Sequence, residues 1–370
     1  MSIDSIKIFM CGDVMTGRGI DQILPYPSNP IIHEPFVKDA KEYVRLGEMA
    51  NGYISKPVEF SYIWGDALKE LEKEKPDLRI INLETAITKS DDYFDKGINY
   101  RMNPDNIPCL KVANIDFCSL ANNHTLDWGY SGLIETLDTL KKANIKSAGA
   151  GMNIDEAESP AIFNIKNRKV IIFSYGLEDS GIPLTWAAKK DRAGLNLLKD
   201  LSRENLIHIK EKVREFKEKG DIAIASIHWG SNWGYMIPNE HIEFAHKLID
   251  DANFDVIHGH SSHHVKGIEV YNKKLIIYGC GDFINDYEGI TGYEEYRSDL
   301  GLMYFLSLDE NCNLISLHMI PTQIKKFRVN KALRKDASWL KDVLNRECKR
   351  FGISVHLNDN LILKMPKASF

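Results

Sequence analysis

Residues 254–264 read FDVIHGHSSHH, an apolar run that ends in four histidines, His258, His260, His263 and His264. The whole chain has 12 histidines, so this gathering needs a reason. The run before them reads as a buried strand, which puts the imidazoles at a strand's carboxyl end. Six further runs have the same look: IKIFMCGD, LRIINLE, IDFCSLANNH, KVIIFSYG, DIAIASIHWG and KLIIYGCGDF. Between them lie segments with apolar residues at helical spacing. Leu133, Leu137 and Leu140 make one stripe; Leu206, Ile209, Val213 and Phe216 another; Ile242, Ala245 and Ile249 a third. Strands alternating with helices predict an α/β fold with helix-covered strands.

The polar residues fall at the strand ends. IKIFMCGD closes on Asp13, and LRIINLE on Asn82 and Glu84. IDFCSLANNH closes on Asn122, Asn123 and His124, and DIAIASIHWG carries His228. In open α/β sheets, ligands bind outside the carboxyl ends of the strands. Parallel strands would bring these five ends to one rim. Carboxylates, an amide and imidazoles together suit Zn, Mn or Fe better than Mg or Ca. Taken singly, Asp13 can be read as a cap, Glu84 as a cap or a surface ion-pair partner, Asn123 as a turn residue, and His228 as a core histidine.

Composition sets outer limits. Hydrophobic residues make up 44% and charged residues 27% of the 370 positions, as in an ordinary globular protein. The net charge of -5 gives no basic footprint for nucleic acid. The 6 cysteines form no CxxC pair, which argues against a cysteine zinc site and for reduced, buried thiols. The N-terminal stretch lacks the apolar core of a signal peptide, and no apolar run approaches the roughly 18 residues of a membrane span. A cytoplasmic protein without membrane insertion is the expectation. Residues 21–60, with five prolines and a helix expected over 37–49, form an insertion after the first strand. It serves either as a lid over a site or as a surface excursion. LGLMYFLSLD and LISLHMIPTQI predict an antiparallel pair turning at Asn311, and the chain beyond is helical and basic.

Two motif matches fail. GDVMTGRG has Arg18 and Gly19 where a phosphate loop needs Lys and Ser/Thr. HGHSSHH has Ser262 where the zinc motif of metallo-β-lactamases needs Asp.

The order Asp13, Glu84, Asn123-His124, His228 and His260…His263 resembles the calcineurin-like metallophosphoesterases. Within them it is similar to the bacterial capsule synthesis branch, the CapA or poly-γ-glutamate synthesis family. GDVMTGR, INLETAIT, SLANNHTLDWGYSGLIETLDTL, SIHWGSNW and HGHSSHHVKGIEVYNKKLIIYGCGDFI carry the match, over residues 6 to about 284. The resemblance implies a four-layer αββα sandwich with one or two divalent metals, Mn, Zn or Fe, at the strand ends. It would occupy residues 1–328, with 21–60 inserted and 329–370 as a C-terminal helical extension. Asp13 would bind one metal, Glu84 would bridge, Asn123 and His228 would bind the second, and His260 and His263 would complete the shells. His124 would protonate a leaving group or hold an oxyanion, oriented by Asp127. Arg18 is a candidate partner for an anionic substrate group, with Arg101 behind it. Trp128, Trp229 and Trp233 border the motifs and are candidate pocket walls.

The chain departs from the pattern twice. Met15 stands where a ligating histidine is usual, and methionine ligates hard metals poorly. Glu84 replaces a bridging aspartate. An extra residue also lets His264 compete with His263. Two functions therefore follow from the resemblance. One is a metal-dependent hydrolase of an anionic substrate, a phosphoester or a γ-glutamyl polymer. The other is a non-catalytic component that binds polyglutamate or a synthase complex through a vestigial site.

Overall fold

In the computed structural model, which describes residues 5–366, the apolar runs form strands of two mixed sheets. The larger sheet is centred on Ile6–Val14. Leu78–Leu83 lies parallel on one side, followed by Phe117–Ser119 and Lys146–Ala148. Leu300–Leu308 lies antiparallel on the other side and pairs with Leu314–Ile324, the hairpin expected from sequence. Asp282–Ile284 pairs in parallel with the carboxyl end of Ile6–Val14. In the smaller sheet, Arg168–Leu177, Ile222–His228, Val256–His260 and Lys274–Ile277 run parallel.

The strands read as continuous apolar runs because both of their faces are buried. Ile6, Ile8 and Met10 pack against Ile172, Ile224, Val256 and Ile277 of the other sheet. The alternate residues Phe9 and Cys11 pack in a second core with Leu71, Leu133 and Leu140 from helices. On the smaller sheet, Phe173, Ala225 and Ile257 meet Leu206, Ile209, Val213, Phe244 and Leu248, again helical. Each such Leu, Ile or Phe contributes ~1.5–3 kcal/mol by leaving water. The helix Arg203–Phe216 starts where the Ser202 hydroxyl accepts from Asn205 N–H; of the stripe predicted for it, Leu206, Ile209 and Val213 are buried and Phe216 is half-buried. All six cysteines are buried and free.

The insertion has a small core of its own, Ile32, Ala40 and Tyr43. Its helix spans Lys41–Asn51 and so begins later than the expected residue 37. The Asp39 carboxylate accepts from Lys41 N–H at 2.8 Å, holding the preceding residues in a turn. After residue 329 the chain is woven into the larger sheet. Val329–Lys331 and Leu363–Lys364 both pair with Leu314–Ile324. The helix Arg334–Glu347 buries Leu340, Val343 and Leu344 in the core between the sheets. No helix among the described residues is long and apolar enough to cross a membrane.

Candidate metal centre

A bulge turns Asp13 inward. Met10 pairs with Ile80 and Asp13 with Asn82, so Cys11 and Gly12 together stand opposite Ile81. One extra residue reverses the in–out alternation of a strand. Without it, Asp13 would follow Phe9 and Cys11 toward the helices. Gly12 is required here, because a Cβ would stand 1.7 Å from the Gly281 carbonyl oxygen. That close approach lets Asp13 N–H donate to Gly281 O at 3.2 Å and puts Asp13 beside Asp282 in register.

Three carboxylates meet in this interior: Asp13, Glu84 and Asp282 are 1%, 2% and 2% exposed. Burial, then the charge of Asp282, pushes the Asp13 acid up to about 7. Burial, then Asp13 and Asp282, pushes Glu84 well above the carboxylate range. Asn82 Nδ2 donates to Asp13 Oδ1 at 2.7 Å. Asp13 Oδ2 is buried with no hydrogen-bond partner. Glu84 lies against it, and with its acid raised this far Glu84 keeps a proton that can bridge the two. A cluster of three buried carboxylates that must hold protons to coexist is one that a cation would stabilise in their place.

The smaller sheet supplies the candidate nitrogen donors. Its inward column runs Ile222, Ile224, Ser226, His228 on one strand and Val256, His258, His260 on the next, in register. Core residues thus give way to imidazoles toward the carboxyl ends. His228 Nδ1 and His260 Nδ1 are 2.8 Å apart. Their outer nitrogens face partners: His228 Nε2 is 3.1 Å from Asn123 Oδ1, and His260 Nε2 is 2.9 Å from Ser226 Oγ. If both outer nitrogens donate, two lone pairs face each other, an arrangement that a shared cation relieves. Burial holds both rings well below the usual histidine pKa, so both are neutral at pH 7, the form in which an imidazole could ligate a metal.

Potential ligand atoms gather in two triplets, Asp13–His228–His260 and Asp13–His263–Asp282, each within 4.8 Å. Asp13 belongs to both, and Glu84 lies outside both. His263 Nδ1 is 3.0 Å from Asp282 Oδ1, and its Nε2 is 3.1 Å from Asn232 Nδ2. Burial draws its pKa down, but Asp282 and Asp13 outweigh it and raise it. His264 turns away toward Tyr235 and Tyr296, at ring distances of 4.5 and 4.8 Å.

His124 flanks this group. Its Nδ1–H donates to Asp127 Oδ2 at 2.6 Å, its ring stacks on Tyr100 at 3.9 Å, and its Nε2 is 3.9 Å from Glu84 Oε1. Burial lowers its pKa to about 4, against the pull of Asp127. Lys96, a residue that sequence reasoning passed over, reaches Asp127 Oδ1 at 2.9 Å and the Asn123 carbonyl at 2.5 Å. Asn82 Oδ1 accepts from Asn122 Nδ2 at 3.0 Å, and Asn122 Oδ1 accepts from His124 N–H at 3.1 Å, which fixes the turn.

Other candidates sit elsewhere. The Arg18 guanidinium donates to Asp286 and Glu34 and lies 3.5 Å from the Tyr43 ring, so protein groups already hold it. Arg101 donates to Asp91 and stacks on Trp128 at 3.8 Å. Trp229 stacks on His241, whereas Trp233 is 5.0 Å from His263. Asp282 was also passed over as a site residue. Its signal was present: Gly281-Asp282 repeats the Gly12-Asp13 ending of the first apolar run.

Fold and site define a mixed α/β protein with a carboxylate–imidazole centre at the strand ends. The chain belongs to the bacterial capsule synthesis protein family PGA_cap, whose sequence profile matches residues 7–287. It is 45% identical over 371 residues to the "probable polyglutamine synthesis accessory protein" of Mycobacterium tuberculosis (strain CDC 1551 / Oshkosh), covering 99% of this chain and 97% of that one. It is 32% identical over 228 residues to the PGA biosynthesis protein CapA of Bacillus subtilis (strain 168), covering 61% and 56%. The capsule biosynthesis protein CapA of Bacillus anthracis is 24% identical over 341 residues, covering 90% and 74%.

Proposed function

We propose that the chain is a metal-dependent hydrolase of an anionic substrate, a phosphoester or the amide bond of a γ-glutamyl polymer, in capsule or polyglutamate synthesis. The observation that carries this reading is Asp13, a buried carboxylate shared by two ligand triplets, with one oxygen unpartnered. Asp13, Asp282, His228, His260 and His263 would hold one or two divalent ions, with Glu84 and Asn123 adjoining. Oxygen and imidazole donors in this mixture fit Mn, Zn or Fe. Such an ion supplies Lewis acidity when bound. Asp127 accepts His124 Nδ1–H, which leaves Nε2 to exchange a proton with the reacting group. Lys96 holds Asp127 and the Asn123 carbonyl in place.

We also read the three cores as a helix–sheet–sheet–helix layering. Residues 1–328 are read as the metallophosphoesterase-like domain, and 329–370 as a C-terminal extension whose helix and short strands pack into that domain. The insertion is read as a cover held by the Arg18 contacts to Glu34 and Tyr43.

Metal analysis of purified protein, then assays on a phosphomonoester, a phosphodiester and a γ-glutamyl peptide with Mn or Zn, test this reading. Metal-dependent turnover lost in His228→Ala and Asp282→Ala supports it. A second reading makes the chain a non-catalytic polyglutamate-binding accessory. Buried Met15 at a usual ligand position favours it, and so does the engagement of Arg18 by protein carboxylates. Polyglutamate binding without metal or cleavage would select it.

A further inference from the structure

His258 belongs to neither ligand triplet, yet it is wholly buried beside them, its ring edge-on to His260 at 5.2 Å. Its Nε2 is 2.8 Å from the carbonyl oxygen of Cys11. Cys11 stands in the bulge of the first strand, outside the paired registers of its neighbours, so its carbonyl is free for a side chain. His258 Nδ1 is 3.0 Å from Ser226 Oγ, and Ser226 Oγ is 2.9 Å from His260 Nε2. Cys11, His258, Ser226 and His260 thus form one chain of contacts crossing from the larger sheet to the smaller.

Hydrogen-bond direction follows from donor count. A carbonyl only accepts, so His258 Nε2 carries hydrogen. The His258 ring meets a carbonyl and a hydroxyl and no carboxylate, and a buried cation without a counter-charge is costly. His258 is therefore neutral, and its Nδ1 accepts. Ser226 has one hydroxyl hydrogen, which goes to His258 Nδ1. Toward His260, Ser226 can then only accept, so His260 carries its hydrogen on Nε2. The nitrogen left bare is His260 Nδ1, the atom that faces His228.

We propose that His258 and Ser226 are positioning residues that fix the tautomer of His260 and tie the sheet carrying Asp13 to the sheet carrying His228 and His260. This rests on reading the centre as a metal site. It adds a role for Ser226 and for His258, a histidine of the cluster that neither triplet uses. Outer partners of this kind set the tautomer and orientation of a ligating imidazole, and losing one costs roughly 10–100-fold in metal affinity.

The test uses full-length protein with 15N-labelled histidine, stripped of metal, and two-bond 1H–15N correlation spectra. His258 and His260 should both show the Nε2–H tautomer. An Nδ1–H tautomer at His260 in the unsubstituted protein overturns the proposal, whatever the variants do. Zn and Mn titrations by calorimetry then compare Ser226→Ala with Ser226→Thr. Loss of about 10-fold or more in affinity in Ser226→Ala, with recovery in Ser226→Thr, supports the proposal. Unchanged affinity and an unchanged His260 spectrum in Ser226→Ala overturn it while leaving the metal reading intact. Unsubstituted protein that binds neither metal but shows His260 as Nε2–H removes the metal reading and supports the tautomer assignment.

Discussion

Asp13→Asn should stabilise the metal-free protein while abolishing its metal binding. Asp13 lies within the site and is raised from the ordinary 3.8 to about 7 by burial and by Asp282. At about 1.4 kcal/mol for each pH unit, ionising it in the folded state costs roughly 4 kcal/mol. The sign follows from linkage. A raised folded pKa means that the folded state binds more protons than the unfolded chain between about 4 and 7. Stability from this group is complete below about pH 4 and is lost as pH rises through about 7. Asparagine removes the charge, keeps an oxygen for Asn82 Nδ2, and gives Asp282 a donor. The assay is urea unfolding in excess chelator at pH 5 and pH 8. Asp13→Asn should exceed the unsubstituted protein by a few kcal/mol at pH 8 and by much less at pH 5, and added Mn or Zn should stabilise only the unsubstituted protein. A variant less stable than its parent at pH 8 in chelator would mean that the Asp13 charge does not destabilise the metal-free fold.

Other outcomes follow from the same geometry. Gly12→Ala forces a Cβ to within 1.7 Å of Gly281 O; it should cost about 3 kcal/mol or more in urea unfolding and reduce metal uptake. Arg18→Ala leaves Asp286 and Glu34 buried without their partner; a loss of ~3–5 kcal/mol is expected, and a loss near zero would return Arg18 to the role of substrate ligand. In the unsubstituted protein, a metal at 100 times its dissociation constant should add about 2.7 kcal/mol of stability, read as a shift in unfolding midpoint that chelator reverses.

Much of the fold was legible because a strand buried on both faces leaves a nearly continuous apolar run, as in IKIFM and IAIASI, broken only at Lys7 and Ser226. The helical stripes were legible for the same reason of periodicity. The converging strand ends were also readable, since Asp13, His228 and His260 each follow such a run. The bulge was not, because one extra residue in a strand leaves no mark on composition; only Gly12 hints at it. Lys96 lies in a polar loop whose position depends on tertiary contacts with Asn123 and Asp127. Arg18 looked available because its partners, Glu34 and Asp286, lie 16 and 268 positions away. The two-residue strands His356–Leu357 and Leu363–Lys364 are too short for any period to show.

The proposed centre requires a cation seated at Asp13. Crystals grown with Mn, measured at a wavelength where Mn scatters anomalously, test this most directly. An anomalous peak in contact with Asp13 and with at least two of Asp282, His228, His260 and His263 is the expected result. A protein that takes up no Mn or Zn at those side chains, with Asp13 hydrogen-bonded to protein alone, would contradict it.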